Sequence, residues 1–362
     1  MRFHAPYMEW AKARPRARFD LAISNVLACS ITDLPGAADA LALTGDNDNG
    51  YGPLVNAIAS RYAVGPAQVT TAQGAAGANF LVFAALLSPG DDVLVERPGY
   101  DPLMGAPRLL GANVIRFDRP FDDGYALDPA RVEAAITPRT RLIVITSPHN
   151  PTGAIADLAA LKDVGRIAEA HGAHVLVDQV YLDSTGAALA HAATLGDTFI
   201  STSSLTKSYG LSGLRCGWIL SSPAMAERLH RARDVVDGTG SIMAERLSVV
   251  AFDHLPTLIE RTRALLGTNW PLMKSFLESR SDLEYALPRG GTVAFPRIRG
   301  VADSSRFVER VFTQYDTAIV PGRFFDAPAH FRVGFSGATD SLKAGLERLG
   351  VALDALAVPA NQ

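Results

Sequence analysis

The sequence predicts an α/β protein: a large domain on a mostly parallel sheet sandwiched by helices, with a smaller α+β domain beside it. Three observations predict this. Between about residues 90 and 220, short Val/Ile/Leu-rich runs alternate with helical stretches, the pattern of a sheet built with crossover connections. After about residue 222 the pattern changes to long helices, then short strands, then a closing helix. The chain of 362 residues is 48% hydrophobic, enough apolar surface for a large core.

The elements follow in order. The opening stretch "MRFHAPYMEWAKARPRARFD" lacks the apolar run of a secretory signal and reads as an arm that caps the fold. "TAQGAAGANFLVFAALL" (71–87) is a small-residue turn running into a helix. "DDVLVE" (91–96), "NVIRF" (113–117), "RLIVIT" (141–146), "HVLVD" (174–178), "TFIST" (198–202) and "CGWIL" (216–220) read as strands buried on both faces. "IADLAALKDVGRIAEA" (155–170) is an amphipathic helix between two of them. Helices then run from "PAMAERLHRARDVV" to "WPLMKSFLE". Short strands near "TVAFPRI" and "HFRVGFSG" and the helix "DSLKAGLERLGVAL" close the chain. The expected division is an arm and part of the small domain over 1–40, a large domain over 41–250 and a small domain over 251–362.

The net charge is -3 and no long run of like charge occurs, which argues against nucleic acid or an anionic membrane as partner. No apolar run approaches the roughly 20 residues of a membrane span. Cys29 and Cys216 stand in unrelated contexts, with no metal-ligand spacing, and fit a reducing cytoplasm. The expectation is a cytoplasmic protein without a metal.

The chemistry gathers at "SLTKSYGLSGLR" (204–215). The chain has five lysines. Lys12 lies in the arginine-rich arm, and Lys162 shares a polar helix face with Arg166 and Glu169. Lys274 and Lys343 each have a glutamate four residues on, an ordinary exposed pair. Lys207 alone follows a buried strand with no carboxylate nearby in sequence. It reads either as a solvated loop lysine or as a nucleophilic amine whose pKa is lowered by desolvation. With the surrounding hydroxyls and Arg215 suited to a phosphate dianion, the second reading points to pyridoxal phosphate.

That reading makes demands elsewhere. A protonated pyridine nitrogen needs a fixed anion, and "HVLVD" ends in Asp178 at the carboxyl end of a strand, where open α/β sheets bind ligands. A pair at about 4 Å contributes ~4 kcal/mol at an effective dielectric near 20. Alone, Asp178 reads equally as a turn or capping residue. The N–H groups near Ala75, Ala76 and Gly77 can cradle phosphate oxygens, although tight packing explains the glycines as well. "SPHNPTG" (147–153) fixes Asn150 at the sheet edge, and "RPGYDP" (97–102) does the same for Tyr100. Taken singly, these are a turn asparagine and a packing tyrosine.

Together, "SPHNPTG", "VLVDQVY" and "SLTKSYGLSGLR", in this order and spacing, resemble the class I/II aminotransferases, pyridoxal-phosphate enzymes of fold type I, the aspartate aminotransferase fold. The resemblance runs from "NGYGPLVNAIASRY" (49–62) to "HFRVGFSG" (330–337). It implies that Lys207 links the cofactor as an aldimine and then shuttles the proton, and that Asp178 pairs with the pyridine nitrogen. It implies that Asn150 and Tyr181 bond the phenolic oxygen and that Tyr100 stacks on the ring. Ala75, Ala76, Ser204 and Arg215 would hold the phosphate, helped by Tyr51 from the second subunit of a homodimer. Arg332 would grip the substrate α-carboxylate, near Asn150. The phosphate turn offers "GAA" where many relatives have a hydroxyl side chain, so binding there would rest on backbone.

The expected activity is transfer of an amino group from an L-amino acid to a 2-oxo acid. A carbon–sulfur β-lyase or an amino-acid decarboxylase on the same scaffold would share nearly every cofactor contact. A non-enzymatic sensing domain of the kind fused to transcription regulators would need a DNA-binding domain in front, and the motifs begin too early for one. No second arginine for a substrate side-chain carboxylate stands out; Arg231, Arg233 and Arg246 lie where the register is not fixed by the sequence.

Overall fold

The computed structural model describes residues 4–185 and 191–357. Residues 1–3 of the expected arm and 358–362 of the expected small domain lie outside the described residues, as do 186–190.

In chain order the first half comprises α1 (Pro6–Ala13), β1 (Phe19–Asp20), α2 (Gly52–Tyr62), β2 (Val69–Gln73), α3 (Gly74–Leu86), β3 (Asp92–Arg97), α4 (Pro102–Leu109), β4 (Asn113–Asp118), α5 (Pro129–Ala135) and β5 (Thr140–Thr146). It continues with α6 (Leu158–Ala170), β6 (His174–Asp178), β7 (Phe199–Ser204), β8 (Cys216–Leu220), α7 (Pro223–Val236), α8 (Ile242–Asp253) and α9 (Leu255–Glu278). The remainder is β9 (Leu283–Glu284), β10 (Val293–Ala294), β11 (Arg297–Ile298), α10 (Ser305–Tyr315), β12 (Thr317–Ala318), β13 (Val320–Pro321), β14 (Phe331–Gly334) and α11 (Thr339–Ala357).

Seven strands form one sheet in the order β2-β8-β7-β6-β5-β3-β4. The pairs from β7 through β4 are parallel, whereas β8 runs against both β7 and β2. β2, β3, β5, β6 and β7 therefore point the same way, and their carboxyl ends share one edge. The strand β2 has no counterpart in the sequence-based reading. "VTTAQ" carries little apolar signal, and its strand conformation comes from pairing with β8.

β3, β5, β6 and β7 are buried on both faces because alternate residues enter two cores, whereas β4, expected to be buried likewise, is the sheet's edge strand, with Phe117 buried and its other residues half-buried or exposed. Val93, Val95, Leu142, Val144, Leu176 and Ile200 pack against α3, α4 and α7. Leu94, Ile143, Ile145, Val175, Val177 and Phe199 pack against α5 and α6. This period of two explains why the strands read as continuous apolar runs. Burial of an aliphatic side chain stabilises by about 1.5–3 kcal/mol, so the two layers hold the sheet edge rigidly.

A third core gathers Leu21, the second half of α9 (Leu266, Met273, Leu277), Phe307 and Val311 of α10, Phe331 and Val333 of β14, and Leu342, Leu346 and Leu349 of α11. The first half of α9 (Leu255, Leu258, Ile259) packs instead with α2 and Trp218. The segment after the arm is stitched here by β1, which pairs parallel with β12, Phe19 opposite Thr317. Among the described residues no helix is long and apolar enough to cross a membrane.

Candidate active site

The site forms where the common strand edge meets the small core. The register sets Thr146 opposite Asp178, Asp178 opposite Thr202, and Ser204 opposite Gly217. The chain leaves β5, β6 and β7 on this edge, so the segments following them supply Asn150, Tyr181 and Lys207. A cavity of about 460 Å³ opens there. Of the expected residues, Ala75, Ala76, Tyr100, Asn150, Asp178, Tyr181, Ser204, Lys207 and Arg215 all line it. Tyr51 does not, and Arg332 lies behind the wall.

Lys207 Nζ donates to Asn25 Oδ1 at 2.5 Å and to Ser24 Oγ at 3.1 Å, and sits 6.0 Å from the centre of the Tyr181 ring. Burial lowers its pKa to about 8; the charges of Arg332 and Arg215 push the same way, while Tyr7 and Asp178 oppose. Lys207 is half-buried, and burial pushes its amine in the direction that the sequence reading expects. Ser24 and Asn25, in "FDLAISN", were not singled out from the sequence, and no local signal marks them: only the folding of residues 19–25 against β12 brings them to Lys207.

Asp178 is buried at the end of β6. Burial raises its pKa, and the hydrogen bonds from Asn79 and the Val180 N–H, with the charge of Lys207, oppose that. Asn79 Nδ2 donates to Asp178 Oδ2 at 2.8 Å, and Thr202 Oγ1 donates to Asn79 Oδ1 at 2.7 Å, which fixes the amide's orientation. Asn79 is a second omission of the sequence-based reading. Its signal was legible: a lone amide on the otherwise apolar α3, in "GANFLVF".

The phosphate-sized end is a turn of close backbone contacts. Gly74 has φ +70°, and a Cβ there would meet the Arg215 guanidinium at 2.4 Å. A Cβ on Gly217 would meet the Gly74 backbone at a similar distance. This lets the first turn of α3, with Ala75 and Ala76, approach the start of β8. The N–H groups of a helix's first turn lack intrahelical partners and favour an anion. Ser204, Thr206, Ser212 and Arg215 close the other side of the cup. Arg215 makes only long contacts, donating at 3.4 Å to the Ser212 and Gln73 carbonyls, and pairs with no carboxylate among the described residues.

The Asn150 loop is held from below by a buried network. Arg119 pairs with Glu96 at 2.6 Å, and Glu96 Oε1 accepts from Thr146 N at 2.7 Å. Thr146 Oγ1 then accepts from Asn150 N at 3.3 Å. Asn150 Oδ1 accepts from Arg332 Nη1 at 3.0 Å, leaving its amide N–H groups for the cavity. Arg332, fully buried on β14, also donates from Nη2 to the Tyr7 hydroxyl and the Ala22 carbonyl, both at 2.8 Å. It has no carboxylate partner among the described residues, and its Nε–H is unpaired. The Tyr181 hydroxyl is buried beside the Ser24 and Thr292 hydroxyls without completing a hydrogen bond.

Tyr51 stands outside the cavity of its own chain, at the start of α2. Its N–H donates to Glu245 Oε2 at 3.0 Å, and its hydroxyl accepts from Arg246 Nη1 at 3.4 Å. Arg233 is buried on Thr71, and Arg231 pairs with Glu227 and Asp234 on the surface. None of these three arginines lines the cavity. No group of His, Cys, Asp or Glu among the described residues is placed to hold a metal.

The residues fit pyridoxal phosphate. Lys207 and Arg215 line the cavity with Asp178 as its one carboxylate, and Arg332 lies behind its wall, an excess of positive charge that suits a phosphate and a carboxylate. The unpaired Tyr181 hydroxyl and the free amide N–H groups of Asn150 offer donors to an oxygen lying between them.

The family model described as aminotransferase class I and II matches residues 19–349. The chain is 31% identical over 356 residues to capreomycidine synthase of Streptomyces vinaceus, covering 94% of this chain and 92% of that protein. A crystal structure of a PLP-dependent aminotransferase from Streptococcus suis superposes with a TM-score of 0.92 at 26% identity, over 98% of this chain and 99% of that one. The PLP-dependent cyclase OrfR superposes with a TM-score of 0.88, also at 26% identity, over 98% of each chain.

Proposed function

Because this chain belongs to the aminotransferase class I and II family, whose members are pyridoxal-phosphate enzymes, we propose that it moves an amino group from an L-amino acid to a 2-oxo acid, with Lys207 as the cofactor-linked amine and proton carrier. The observation that carries this reading is the position of Asn150. It lines the cavity with Lys207 and Asp178, and its Oδ1 binds Arg332. One side chain thus separates the amine from the buried cation that would hold an α-carboxylate.

When bound, pyridoxal phosphate supplies an electron sink for the substrate α-carbon. Asp178 would hold the ring nitrogen protonated, and the Asn79 donor aims that carboxylate and favours its charged form against the burial that raises its pKa. The Asn150 amide and Tyr181 hydroxyl would donate to the phenolic oxygen, and Tyr100 would cover the ring face. The N–H groups of Ala75 and Ala76, with Ser204 and Arg215, would hold the phosphate. Tyr51 would complete that cup from a second copy of the chain in a homodimer. Lys207, whose pKa burial lowers to about 8, would hold about a tenth of its amine neutral at pH 7; its Nζ would take the proton from the substrate α-carbon and deliver it to the carbon that was the cofactor's aldehyde. Arg332 fixes the α-carboxylate and hence the face presented to Lys207.

The likeness to capreomycidine synthase and to a cyclase supports a second reading on the same residues. In it the amino group stays with the product or leaves as ammonia: in a ring closure or a carbon–sulfur β-lyase Lys207 would still take the α-proton, whereas in a decarboxylase the α-carboxylate would leave as carbon dioxide and Lys207 would give a proton to the α-carbon. Turnover of a panel of L-amino acids with and without 2-oxoglutarate or pyruvate separates the two. Transamination requires the 2-oxo acid and yields a second one in equal amount. Continued turnover without any acceptor overturns the transaminase reading and favours the other.

A further inference from the structure

We propose that Tyr7 of the N-terminal arm is a specificity-determining residue, donating its hydroxyl hydrogen to the substrate α-carboxylate beside Arg332. This rests on the reading of Arg332 as the carboxylate anchor.

The argument begins with the hydrogens of Arg332. Both hydrogens of Nη2 are engaged, one by the Tyr7 hydroxyl and one by the Ala22 carbonyl. One hydrogen of Nη1 goes to Asn150. A carboxylate that pairs with two guanidinium nitrogens must use Nη2, whichever edge it takes, so one of its present acceptors has to yield. Ala22 O belongs to backbone fixed by its neighbours: Leu21 N donates to Ala318 O, and Gly334 N donates to Leu21 O. The Tyr7 oxygen is the acceptor that yields. It is also the acceptor that carries a hydrogen of its own, and that hydrogen has no acceptor among the described residues.

The position of Tyr7 sends a ligand to it. Arg332 is not part of the cavity wall, whereas Tyr7 and Asn150 are. A carboxylate arriving from the cavity therefore meets the phenol as it meets the cation. The ring is held for this task. Its centre lies 5.8 Å from that of Tyr100, 6.1 Å from Phe324 and 5.7 Å from Phe325, and the Arg332 guanidinium carbon lies 5.3 Å away. Its backbone N–H donates to Asp101 Oδ2 at 3.0 Å, anchoring the arm beside Tyr100. A small movement of a side chain so placed exchanges Arg332···Tyr7 for carboxylate contacts to both. An O–H bond to a carboxylate is stronger than one between neutral groups.

The test uses the cofactor-loaded enzyme and its Tyr7→Phe variant. Each is titrated with L-phenylalanine against 2-phenylethylamine, L-arginine against agmatine, and L-alanine against ethylamine, and followed by the cofactor's absorbance. Tyr7→Phe is expected to weaken the amino acids by roughly 10-fold or more, with the amines unchanged and kcat less affected than KM. Equal or tighter binding of amino acids overturns the proposal, and so does equal weakening of amino acids and amines, which marks a packing role. Arg332→Leu, titrated in parallel, separates the two claims. If it leaves the preference for amino acids intact, the anchor reading fails. If it removes the preference while Tyr7→Phe retains it, only the Tyr7 proposal fails.

Discussion

Asn79 Nδ2 donates to Asp178 Oδ2 at 2.8 Å, and this amide is itself oriented by Thr202. A carboxylate whose pKa burial raises is thereby given a donor that favours its charged form. Replacing Asn79 by Leu removes that donor without touching the cofactor cavity's charge. A hydrogen bond to a charged group contributes about 1.5–3 kcal/mol. Asn79→Leu should therefore weaken cofactor binding about 10-fold or more, and Asp178→Asn should lose most turnover while keeping some cofactor. Equilibrium dialysis of pyridoxal phosphate against each variant measures the first; initial rates measure the second. Near wild-type turnover in Asp178→Asn would sink the electron-sink role.

Arg332→Leu should damage every amino-acid substrate while leaving the absorbance of the enzyme-bound cofactor intact. By analogy with truncating one partner of a buried charge pair, the loss is roughly 2–5 kcal/mol, about 30-fold to several thousand-fold in kcat/KM. Steady-state rates over several L-amino acids check this. Unchanged rates would place the carboxylate contact elsewhere.

Glu96 and Arg119 are 1% and 0% exposed and lie beneath the Asn150 loop. Breaking such a pair leaves an uncompensated buried charge, typically at a cost of about 3–5 kcal/mol. Arg119→Met should lower stability by about that amount in denaturant unfolding. The double variant Glu96→Leu/Arg119→Met should recover part of it. If the double variant is no more stable than Arg119→Met, the stranded-charge account is wrong.

Tyr51, outside its own cavity, should act in that of a second copy. Mixed dimers of Tyr51→Phe and Lys207→Ala chains test this by complementation. The site with an intact Lys207 then receives Tyr51 from the Lys207→Ala chain. That site should bind cofactor more tightly than the Tyr51→Phe homodimer does. Equal affinity would remove the cross-subunit role.

The parallel strands were legible because both faces are buried, so Val, Ile and Leu run uninterrupted from Val93 to Val95 and from Leu142 to Ile145. Lys207 was legible by elimination among five lysines, whereas Asp178 and Asn150, turn residues when taken singly, became legible only through the joint order and spacing of the three motifs. β2 was not, since Thr70 and Thr71 owe their strand conformation to β8 rather than to their own pattern. Ser24, Asn25 and Tyr7 were hidden for a related reason. They reach the cavity through contacts spanning most of the chain, such as Arg332 to Tyr7 and Lys207 to Ser24, and no local periodicity encodes these.

The central claim is that Lys207, and no other lysine, carries the cofactor. Its pKa near 8 follows from burial, so its amine should become reactive as pH rises through about 8, well below the usual lysine range near 10.5. The most direct measurement is borohydride reduction of the cofactor-loaded enzyme at several pH values, followed by peptide mapping. The account predicts the reduced pyridoxyl label on the peptide containing Lys207. In protein stripped of cofactor, the rate of re-attachment at that residue should be half-maximal near pH 8. A label on Lys12, Lys162, Lys274 or Lys343, or attachment at Lys207 that rises only above pH 10, would contradict it.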